Sequence, residues 1–409
     1  MTRSAAIARL LRQWQTGRMT RRELISRLTA LGLSMSAITA LLSACGGSSS
    51  SNQSNSASGT QSTEATAKPS PIARGIPDYV DKTKLAKELN FFNWSDYIEP
   101  GLLDEFERIF GVKVTQDTYD SNEDLLAKLQ GGATGYDVIV PSDYTVSILI
   151  KLNMLEPLDY SVIKSISNID PNNLKPYYDP ENKYSVPYMW GTSGFGYNTE
   201  AIKQELSSWK DVFEPQPALQ KKIVMLNDER EVIGAALMYL GYSINETSDE
   251  ALAKAKSVLM QQKPAVLAYT SNNQTDLLVS GEALLSHLWT GNYIQAHNQK
   301  STITYVIPKE GCTVWQDNLC VLKSAPHKYT AMVFIDFLNW PEVNGRNTNY
   351  IGYASPNKAA REQKLIDESM LNDPKVYPPQ DVWQRLQWIK DIGEATQKFD
   401  RLWTEVKTA

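Results

Sequence analysis

Histidine and cysteine are both scarce in this chain of 409 residues, which contains three of each. The histidines do not stand at a spacing typical of zinc ligands, nor in the pattern of a catalytic triad. The chain also lacks the Gly-x-x-x-x-Gly-Lys-Ser/Thr loop that binds nucleotide phosphates in many hydrolases. These absences argue against a zinc enzyme, a triad hydrolase and a nucleotide hydrolase. We therefore expect no enzyme, no catalytic residue, no cofactor and no metal site.

Long apolar runs are also missing, apart from one at residues 28–42 that follows an arginine-rich start. This run is too short and ends too abruptly for an ordinary membrane-spanning helix. A basic start followed by a short apolar run is typical of an export signal, which we predict for residues 1–45. The adjacent Arg21 and Arg22 fit either a twin-arginine signal or a general secretory leader.

The segment Leu42-Ser43-Ala44-Cys45 has the residue order of a bacterial lipobox, in which cleavage before the cysteine leaves it as the lipid-bearing first residue. A stretch rich in Gly, Ser and Asn follows directly, which fits a processing site at this position. We predict lipidation of Cys45. The protein is then periplasmic or extracytoplasmic, and its only contact with the membrane is the lipid anchor.

Residues 46–84 are predicted to form a disordered tether between this anchor and a folded body. The first part, to about residue 71, is rich in Ser, Asn, Gln and Thr and offers too little apolar surface to build a core. About 35 residues of such a chain have a root-mean-square reach of roughly 30 Å. The body is therefore expected to swing above the membrane.

Acidic residues outnumber basic ones once the leader is set aside. Residues 1–44 hold seven arginines and one acid, so the rest of the chain carries 34 basic and 45 acidic side chains, a balance of −11. Such a body repels nucleic acids and anionic lipid surfaces and attracts cations over a long range. We expect no nucleic-acid partner.

Two cysteines remain beyond the leader, Cys312 and Cys320, on either side of Trp315 and Asp317. Disulfides persist in extracytoplasmic compartments, and a bond here would fix the loop that carries those two side chains. Buried free thiols are an equal alternative, because spacing alone does not decide between them.

The body alternates short apolar runs with amphipathic helical periods, which predicts an α/β architecture in two lobes. Strands are predicted at residues 112–119, 136–140, 222–226 and 283–289, and helices at 100–111, 231–240 and 250–262, with a further helix after a cap at Ser121. The glycine-rich run at residues 191–196 does not have the spacing of a dinucleotide-binding loop, and we interpret it as a crossing between lobes.

Aromatic and acidic residues recur where the predicted strands end. Trp94, residues 142–144, residues 228–231 and Trp289 each follow the carboxyl end of a strand, and open α/β sheets bind ligands at that edge. Ring faces attract ammonium groups, and carboxylates accept charge-assisted hydrogen bonds from them. The pattern indicates a site for an organic cation. For Trp94 and its neighbours alone, ordinary packing at a strand end is an equal interpretation.

Seven segments, taken together in their order and spacing, resemble the spermidine/putrescine-binding proteins of bacterial ABC transporters. They are residues 93–97, 120–123, 140–142, 186–191, 228–232, 308–311 and 352–357. The resemblance covers the body from about Leu89 to the carboxyl terminus. It implies an α/β, two-lobed periplasmic binding protein fold of type 2, with mixed sheets, flanking helices and two hinge crossovers, near residues 193–197 and 311–315. The implied lobes are residues 85–193 with 314–361, and residues 194–313 with 362–409.

The resemblance also assigns a ligand site. The family's binding residues fall on Trp94, Ser95, Asp96, Tyr97, Tyr144, Asp228, Glu231, Trp289, Trp315, Asp317 and Tyr353. Carboxylates from both lobes are expected to hold the amines of a polyamine while the rings cover its methylenes. A putrescine-selective branch has an acid where this chain has Asn292, which favours spermidine or mixed polyamines. The family's carboxy-terminal glutamine has its nearest candidate in Gln387. The implied partners are a membrane permease and its separate ATPase.

Three other functions fit parts of the sequence. A receptor for another organic cation, such as a quaternary ammonium, would use rings with fewer acids. A lipid-anchored glycosidase would place a pair of carboxylates in an aromatic-lined cleft. A sensor would present the same closed form to a signalling partner.

Overall fold

The sheet of this protein has two parallel halves that are joined by a pair of antiparallel strands. The structure, a computed structural model, describes residues 70–409. The export signal, the lipidation of Cys45 and the first part of the tether are predictions that lie outside these described residues. From residue 70 onward, no helix has the length and the hydropathy needed to cross a bilayer.

The bounds of the strands and helices within residues 70–409 are as follows. The strands are β1 (Glu88–Trp94), β2 (Lys113–Tyr119), β3 (Val138–Ile139), β4 (Val186–Asn198), β5 (Ile223–Met225), β6 (Val266–Tyr269), β7 (Leu285–Trp289), β8 (Ile303–Val306), β9 (Thr313–Val321) and β10 (Gln387–Trp388). The α-helices are α1 (Gly101–Phe110), α2 (Asn122–Gln130), α3 (Asp143–Lys151), α4 (Lys210–Phe213), α5 (Glu229–Tyr239), α6 (Asp249–Gln262), α7 (Gln274–Ser280), α8 (Thr290–Gln299), α9 (Lys328–Leu338), α10 (Pro341–Ile351), α11 (Lys358–Glu362), α12 (Glu368–Leu371), α13 (Gln380–Trp383) and α14 (Thr396–Thr408).

The strand order is β2-β1-β3-β9-β4-β7-β5-β6, with β10 beside β9 and β8 beside β4. In one half β1 runs parallel to β2 and β3, and in the other β5 runs parallel to β6 and β7. The strands β9 and β4 pair with each other in antiparallel fashion, and each also pairs antiparallel with one of the two halves. The predicted α/β class with a mixed sheet and flanking helices is confirmed.

The strands β4 and β9 pass from one half of the sheet to the other. From Val186 to Ser193 the partner of β4 is β9, and from Ser193 to Tyr197 its partner is β7. Every residue of both strands is buried. The glycine-rich run at residues 191–196 lies within β4, so it forms part of a crossing strand, as we interpreted it.

Each half of the sheet has its own hydrophobic cluster. In the first, the Phe334 ring lies 5.2 Å from that of Phe91 and 4.9 Å from that of Phe106, measured between centroids. In the second, Trp209 lies 5.8 Å from Phe195 in the same measure. Burial of this apolar surface is the main favourable term in folding.

Local sequence signals set the helix ends close to where they were predicted. The helix α1 follows Pro100 and ends before Gly111, and Ser121 Oγ accepts a hydrogen bond of 3.1 Å from the Asp124 amide at the start of α2. The helix α5 begins two residues earlier than predicted, because the Asp228 side chain caps it by accepting from the Glu231 amide at 3.1 Å.

The predicted tether extends too far toward the carboxyl terminus. Residues 70–84 pack on the body: Ile72 and Val80 are buried, and the Tyr79 hydroxyl donates a 2.7 Å hydrogen bond to Asp336 Oδ2. The Arg74 guanidinium lies 4.2 Å from the ring centroid of Trp340. This segment carries apolar and aromatic side chains that the Ser-rich part lacks, so its burial offsets the entropic cost of ordering.

Cys312 and Cys320 are free and buried. An extended strand rises about 3.3 Å per residue, so eight residues separate the two Cα atoms by roughly 26 Å. A disulfide needs Cα atoms within about 7 Å. Of the two alternatives left open by the sequence, the buried free thiols are therefore the one present.

The docking of residues 70–84 can be tested by removing one hydroxyl. We expect Tyr79→Phe to lower the free energy of unfolding by about 1–3 kcal/mol, because the buried Asp336 carboxyl loses a donor. Urea denaturation gives the value. Tyr184→Phe is the matched control, since the Tyr184 hydroxyl makes no hydrogen bond with any described residue. Equal stability of the two variants would show that the segment is not docked.

Candidate functional site

A cavity of ≈ 720 Å³, open space at its mouth included, lies at the carboxyl ends of strands from both halves of the sheet. Residues at or just after the carboxyl ends of β1, β2, β3, β5, β6 and β7 line it. All eleven residues predicted from the sequence line it: Trp94, Ser95, Asp96, Tyr97, Tyr144, Asp228, Glu231, Trp289, Trp315, Asp317 and Tyr353. Most of them follow the carboxyl end of a strand, where open α/β sheets bind ligands. Trp315 and Asp317 project instead from β9, and Tyr353 follows α10.

The lining of this cavity combines many acids and rings with an absence of cations. Six acids (Asp96, Asp120, Asp143, Asp228, Glu231 and Asp317) and seven aromatic residues (Trp94, Tyr97, Tyr119, Tyr144, Trp289, Trp315 and Tyr353) face it. No lysine, arginine or histidine is among the lining residues that the structure describes. The cavity therefore has an electrostatic field that attracts cations.

Asp317 projects into the cavity from β9, with its side chain buried. The Ser142 hydroxyl donates to Asp317 Oδ1 at 2.6 Å, and Ser142 is itself held by Asn122 through two hydrogen bonds of 3.0 and 3.1 Å. Burial raises the pKa of Asp317 to about 7, although the hydroxyls of Ser142 and Tyr97 pull it down. The Tyr97 hydroxyl is buried and close to Asp317, but makes no hydrogen bond of standard geometry. Hydroxyl groups thus orient the Asp317 carboxyl without supplying a positive charge beside it.

Glu231 enters the cavity from the first turn of α5. Its carboxylate accepts a 2.6 Å hydrogen bond from the Ser193 hydroxyl and a second from the Thr313 hydroxyl. Both donors belong to the crossing strands, at the point where β4 changes partner. Burial raises the pKa of Glu231 to about 7, while these hydroxyls lower it. Glu231 is therefore tied to both crossing strands.

Asp228 lies one turn before Glu231 and caps α5. Burial and, to a smaller extent, the neighbouring Glu231 carboxyl raise the pKa of Asp228 to about 7. Arg230 lowers the pKa of both acids, but its guanidinium donates hydrogen bonds to the Lys390 carbonyl and to Asn245, not to either carboxylate. The pair therefore lacks a direct cationic partner.

Indole and phenol rings form the remaining walls. Trp94 is held by a 2.8 Å hydrogen bond from its indole N–H to the Val140 carbonyl, and its ring lies 6.1 Å from that of Trp289. Trp315 donates from Nε1 to Ser193 Oγ at 3.0 Å and lies 5.4 Å from Tyr353. These bonds fix the rings so that their faces bound the cavity.

Two glycines allow these rings to approach the backbone. A Cβ at residue 191 would lie 2.8 Å from the Trp315 ring, and a Cβ at residue 291 would lie 2.3 Å from the Tyr353 ring. Both distances are far shorter than van der Waals contact. The absence of a side chain at Gly191 and Gly291 therefore leaves the space that the Trp315 and Tyr353 rings occupy.

Three predicted residues remain: Asp96, Ser95 and Tyr144. Asp96 is exposed and has a φ of 54°, a left-handed conformation that Asp tolerates better than most residues. Ser95 precedes it and is half-buried. Tyr144 is buried, and its hydroxyl donates to Glu123 Oε1 at 2.9 Å.

Nine lining residues were not predicted as ligand-binding: Tyr119, Asp120, Asn122, Ser142, Asp143, Ser271, Asn272, Asn292 and Ile389. Ser142 and Asp143 belong to the strand-end segment 142–144 that the sequence pattern had indicated as part of a cation site. Most of the others lie at the ends of β2 and β6, where the same strand-end rule would have indicated them. Asn272 Nδ2 donates to Asp120 Oδ2 at 2.9 Å and so joins the ends of β6 and β2. Gln387 does not line the cavity; its amide oxygen accepts from the Ile244 amide and the Ser243 hydroxyl.

A family model for bacterial extracellular solute-binding proteins matches residues 101–377. The spermidine/putrescine-binding periplasmic protein of Escherichia coli K12 is 36% identical over 321 residues, which is 78% of this chain and 91% of that protein. The resemblance drawn from the seven segments is confirmed by this match.

Solved structures with the same fold include the spermidine/putrescine ABC transporter substrate-binding protein of Streptococcus pneumoniae. It is 31% identical, with a TM-score of 0.66, covering 79% of this chain and 99% of that one. A lipoprotein of Treponema pallidum is 29% identical, with a TM-score of 0.68 and coverage of 78% and 99%. The predicted two-lobed periplasmic binding protein fold is confirmed.

The raised pKa values predict how the stability of the ligand-free protein depends on pH. A carboxyl whose pKa is near 7 in the fold and near about 4 in the unfolded chain stabilises the fold at low pH, and this contribution is lost as pH rises through 7. We expect Asp317→Asn to match the wild type in unfolding temperature at about pH 4, where the carboxyl is largely protonated in both states, and to exceed it by several degrees at about pH 8. Calorimetry measures both.

The exposed Asp104 provides the control for this pH dependence. Asp104→Asn removes a carboxyl from the surface of α1 and should leave the wild-type pH profile unchanged. If the unfolding temperature of Asp317→Asn depends on pH as that of the wild type does, burial of the ionised Asp317 carboxylate does not destabilise the fold.

Proposed function

Because the chain belongs to the bacterial extracellular solute-binding proteins, we propose that it captures polyamines such as spermidine and putrescine outside the cytoplasm. The closed, ligand-bound form then delivers the polyamine to the permease of an ABC transporter, which a separate ATPase drives. The names of its relatives in Escherichia coli and Streptococcus pneumoniae support this assignment.

The observation that carries the proposal is a cavity to which residues 70–409 contribute six acids, seven aromatic rings and no basic side chain. Burying carboxylates without a partner is costly, and the cost is relieved when a cation enters. A polyamine is a thin apolar chain with an ammonium group at each end, and its amines stay charged up to a pH of about 10. Carboxylates suit its ends, and indole faces suit its methylenes.

The proposed site residues divide the work between the two ends of the ligand. Asp317 on β9, together with Asp96 at the mouth, would receive one ammonium group. Asp228 and Glu231 at the start of α5 would receive another. Charge-assisted hydrogen bonds are stronger than cation–π contacts, so the acids orient the ligand and the rings add affinity.

Closure around the ligand is also part of the proposal. The two hydrophobic clusters and the crossing strands support lobes formed by residues 85–193 with 314–361 and by 194–313 with 362–409. A ligand held by acids from both lobes stabilises the closed state selectively, with bending near residues 193–197 and 311–315.

Anchoring through a lipid on Cys45 belongs to the proposal as well. The lipobox order of residues 42–45 supports it, as does the similarity to a lipoprotein of Treponema pallidum. The protein would then be held at the membrane face where its permease lies.

Asn292 bears on which polyamine is preferred. Its side-chain oxygen accepts from the Tyr353 hydroxyl at 3.2 Å and from Gln274 Nε2 at 3.2 Å. An amide at this place adds no charge for a terminal ammonium group. We therefore propose spermidine or mixed polyamines as ligands in preference to putrescine alone.

Removing one charge at either end tests the site. We expect Asp317→Asn and Glu231→Gln each to weaken spermidine binding about tenfold to a hundredfold, because each loses a charge-assisted bond while keeping its shape. Isothermal titration calorimetry measures the affinities, and Asp104→Asn serves as control. Unchanged affinity in both cavity variants would refute the assigned site, and saturable binding of betaine but not spermidine would refute the ligand class.

Polyamine binding is expected to release protons. Ammonium groups lower the pKa of the carboxyls they contact, so binding favours the ionised forms of Asp228, Glu231 and Asp317, whose pKa values stand at about 7 without ligand. Affinity should rise as pH increases from about 6 to about 8 and then level off. Titrations in buffers of different ionisation enthalpy count the protons. Affinity that is constant or increases toward acid would contradict this linkage.

A further inference from the structure

A second cavity lies on the reverse face of the two crossing strands. In the β4–β9 pairing Gly191 stands opposite Trp315, and Trp190 stands opposite Gln316. Successive side chains of a strand point to opposite faces. Trp315 therefore bounds the first cavity, whereas Trp190 and Gln316 both line the second, whose volume is ≈ 1590 Å³ with the open space at its mouth included.

The carboxy-terminal segment supplies the outer wall of this second cavity. Trp383 in α13 and Tyr377 pack against Trp190, at centroid distances of 5.5 and 5.6 Å. Trp388 in β10 faces the same space and pairs with β9 at Val314. The wall is thus formed by rings from distant parts of the chain.

The charge of the second cavity is balanced, unlike that of the first. Its charged lining residues are Asp170 and Arg361, which form an ion pair with each other. Arg361 also donates to the Ser355 carbonyl at 2.6 Å. This lining offers neither an unpaired carboxylate for an amine nor an unpaired cation for an anion.

Hydrogen-bond donors in the second cavity are left without partners. Within residues 70–409, the indole N–H groups of Trp190, Trp383 and Trp388 form no hydrogen bond. Trp190 is buried, and Trp383 and Trp388 are half-buried. The N–H group of a buried indole usually has an acceptor. Gln316, by contrast, is fixed by Asn173 at 2.8 Å and by Tyr178 at 2.7 Å, so the floor of the cavity is rigid.

We propose that the second cavity is a binding site for a neutral, polyhydroxylated ring ligand of the saccharide class. The hydroxyl oxygens of such a ligand accept hydrogen bonds from the three indole N–H groups. Its C–H faces pack on the indole and phenol rings, whose faces carry negative quadrupole charge. A polyamine does not fit these requirements, because it has only cationic donors and would meet no free carboxylate here. The second cavity shares no lining residue with the polyamine cavity.

Saturation-transfer NMR on the body of the protein tests this site. The probes are glucose, galactose, N-acetylglucosamine and maltose at millimolar concentration, in the absence of spermidine. We expect saturation transfer to at least one of these saccharides. The signal should be lost in Trp383→Ala and reduced in Trp383→Phe, which keeps a ring but lacks the indole N–H. Trp289→Ala in the first cavity is the matched control and should keep the signal.

The unfolding temperature of each variant shows that it is folded. The proposal is overturned if no saccharide receives saturation, or if the signal survives in both Trp383 variants. It is also overturned if Trp289→Ala abolishes the signal, since the saccharide would then occupy the first cavity. Failure of spermidine binding alone would concern the proposed function and leave the second site standing.

Discussion

Six carboxyl groups face one cavity that has no basic side chain among the lining residues described in the structure, and the affinity of this cavity for cations depends on that imbalance. Most of them are buried, and burial without a partner moves the pKa of Asp228, Glu231 and Asp317 to about 7. The protein orients these groups with hydroxyl donors such as Ser142 and Ser193, which hold a carboxylate without neutralising it. A ligand with several positive charges supplies the cationic partners that these carboxyl groups lack. The affinity and the selectivity of the cavity therefore both arise from the absence of basic side chains among the described lining residues.

The pairing of β4 with β9 determines which side chains face the acidic cavity. The alternation of side chains sends Trp315 and Asp317 to one face and Trp190 and Gln316 to the other. The first pair bounds the acidic cavity and the second bounds a charge-balanced one. Both strands pass between the halves of the sheet. A side chain that is hydrogen-bonded to them is therefore sensitive to the relative position of the two halves. Glu231 is bonded to both strands through Ser193 and Thr313.

Much of this arrangement was predictable because it rests on local rules. Helix ends at Ser121 and Gly111 follow from capping chemistry, and the grouping of Trp94, Asp228 and Trp289 follows from the position of strand ends. These signals need only a few neighbouring residues, so they can be read from one sequence.

Other features depend on long-range register, which a single sequence does not encode locally. Trp190 and Trp383 are nearly two hundred residues apart, and their contact exists only because the chain returns behind β4. The docking of Tyr79 on Asp336 is likewise a contact across 257 positions, so residues 70–84 were mistaken for tether. The state of Cys312 and Cys320 depended on both lying along one extended strand, which their spacing alone did not reveal.

The central claim is that a polyamine replaces the missing cations of the cavity. Its most direct test is a carbon-13 NMR titration of the labelled Asp and Glu carboxyl groups, with the Asp317 signal identified by its loss in Asp317→Asn. We expect an apparent pKa near 7 for Asp317 without ligand and a pKa below about 5 with spermidine bound. A pKa near about 4 in the free protein, or one that spermidine leaves unchanged, would contradict it.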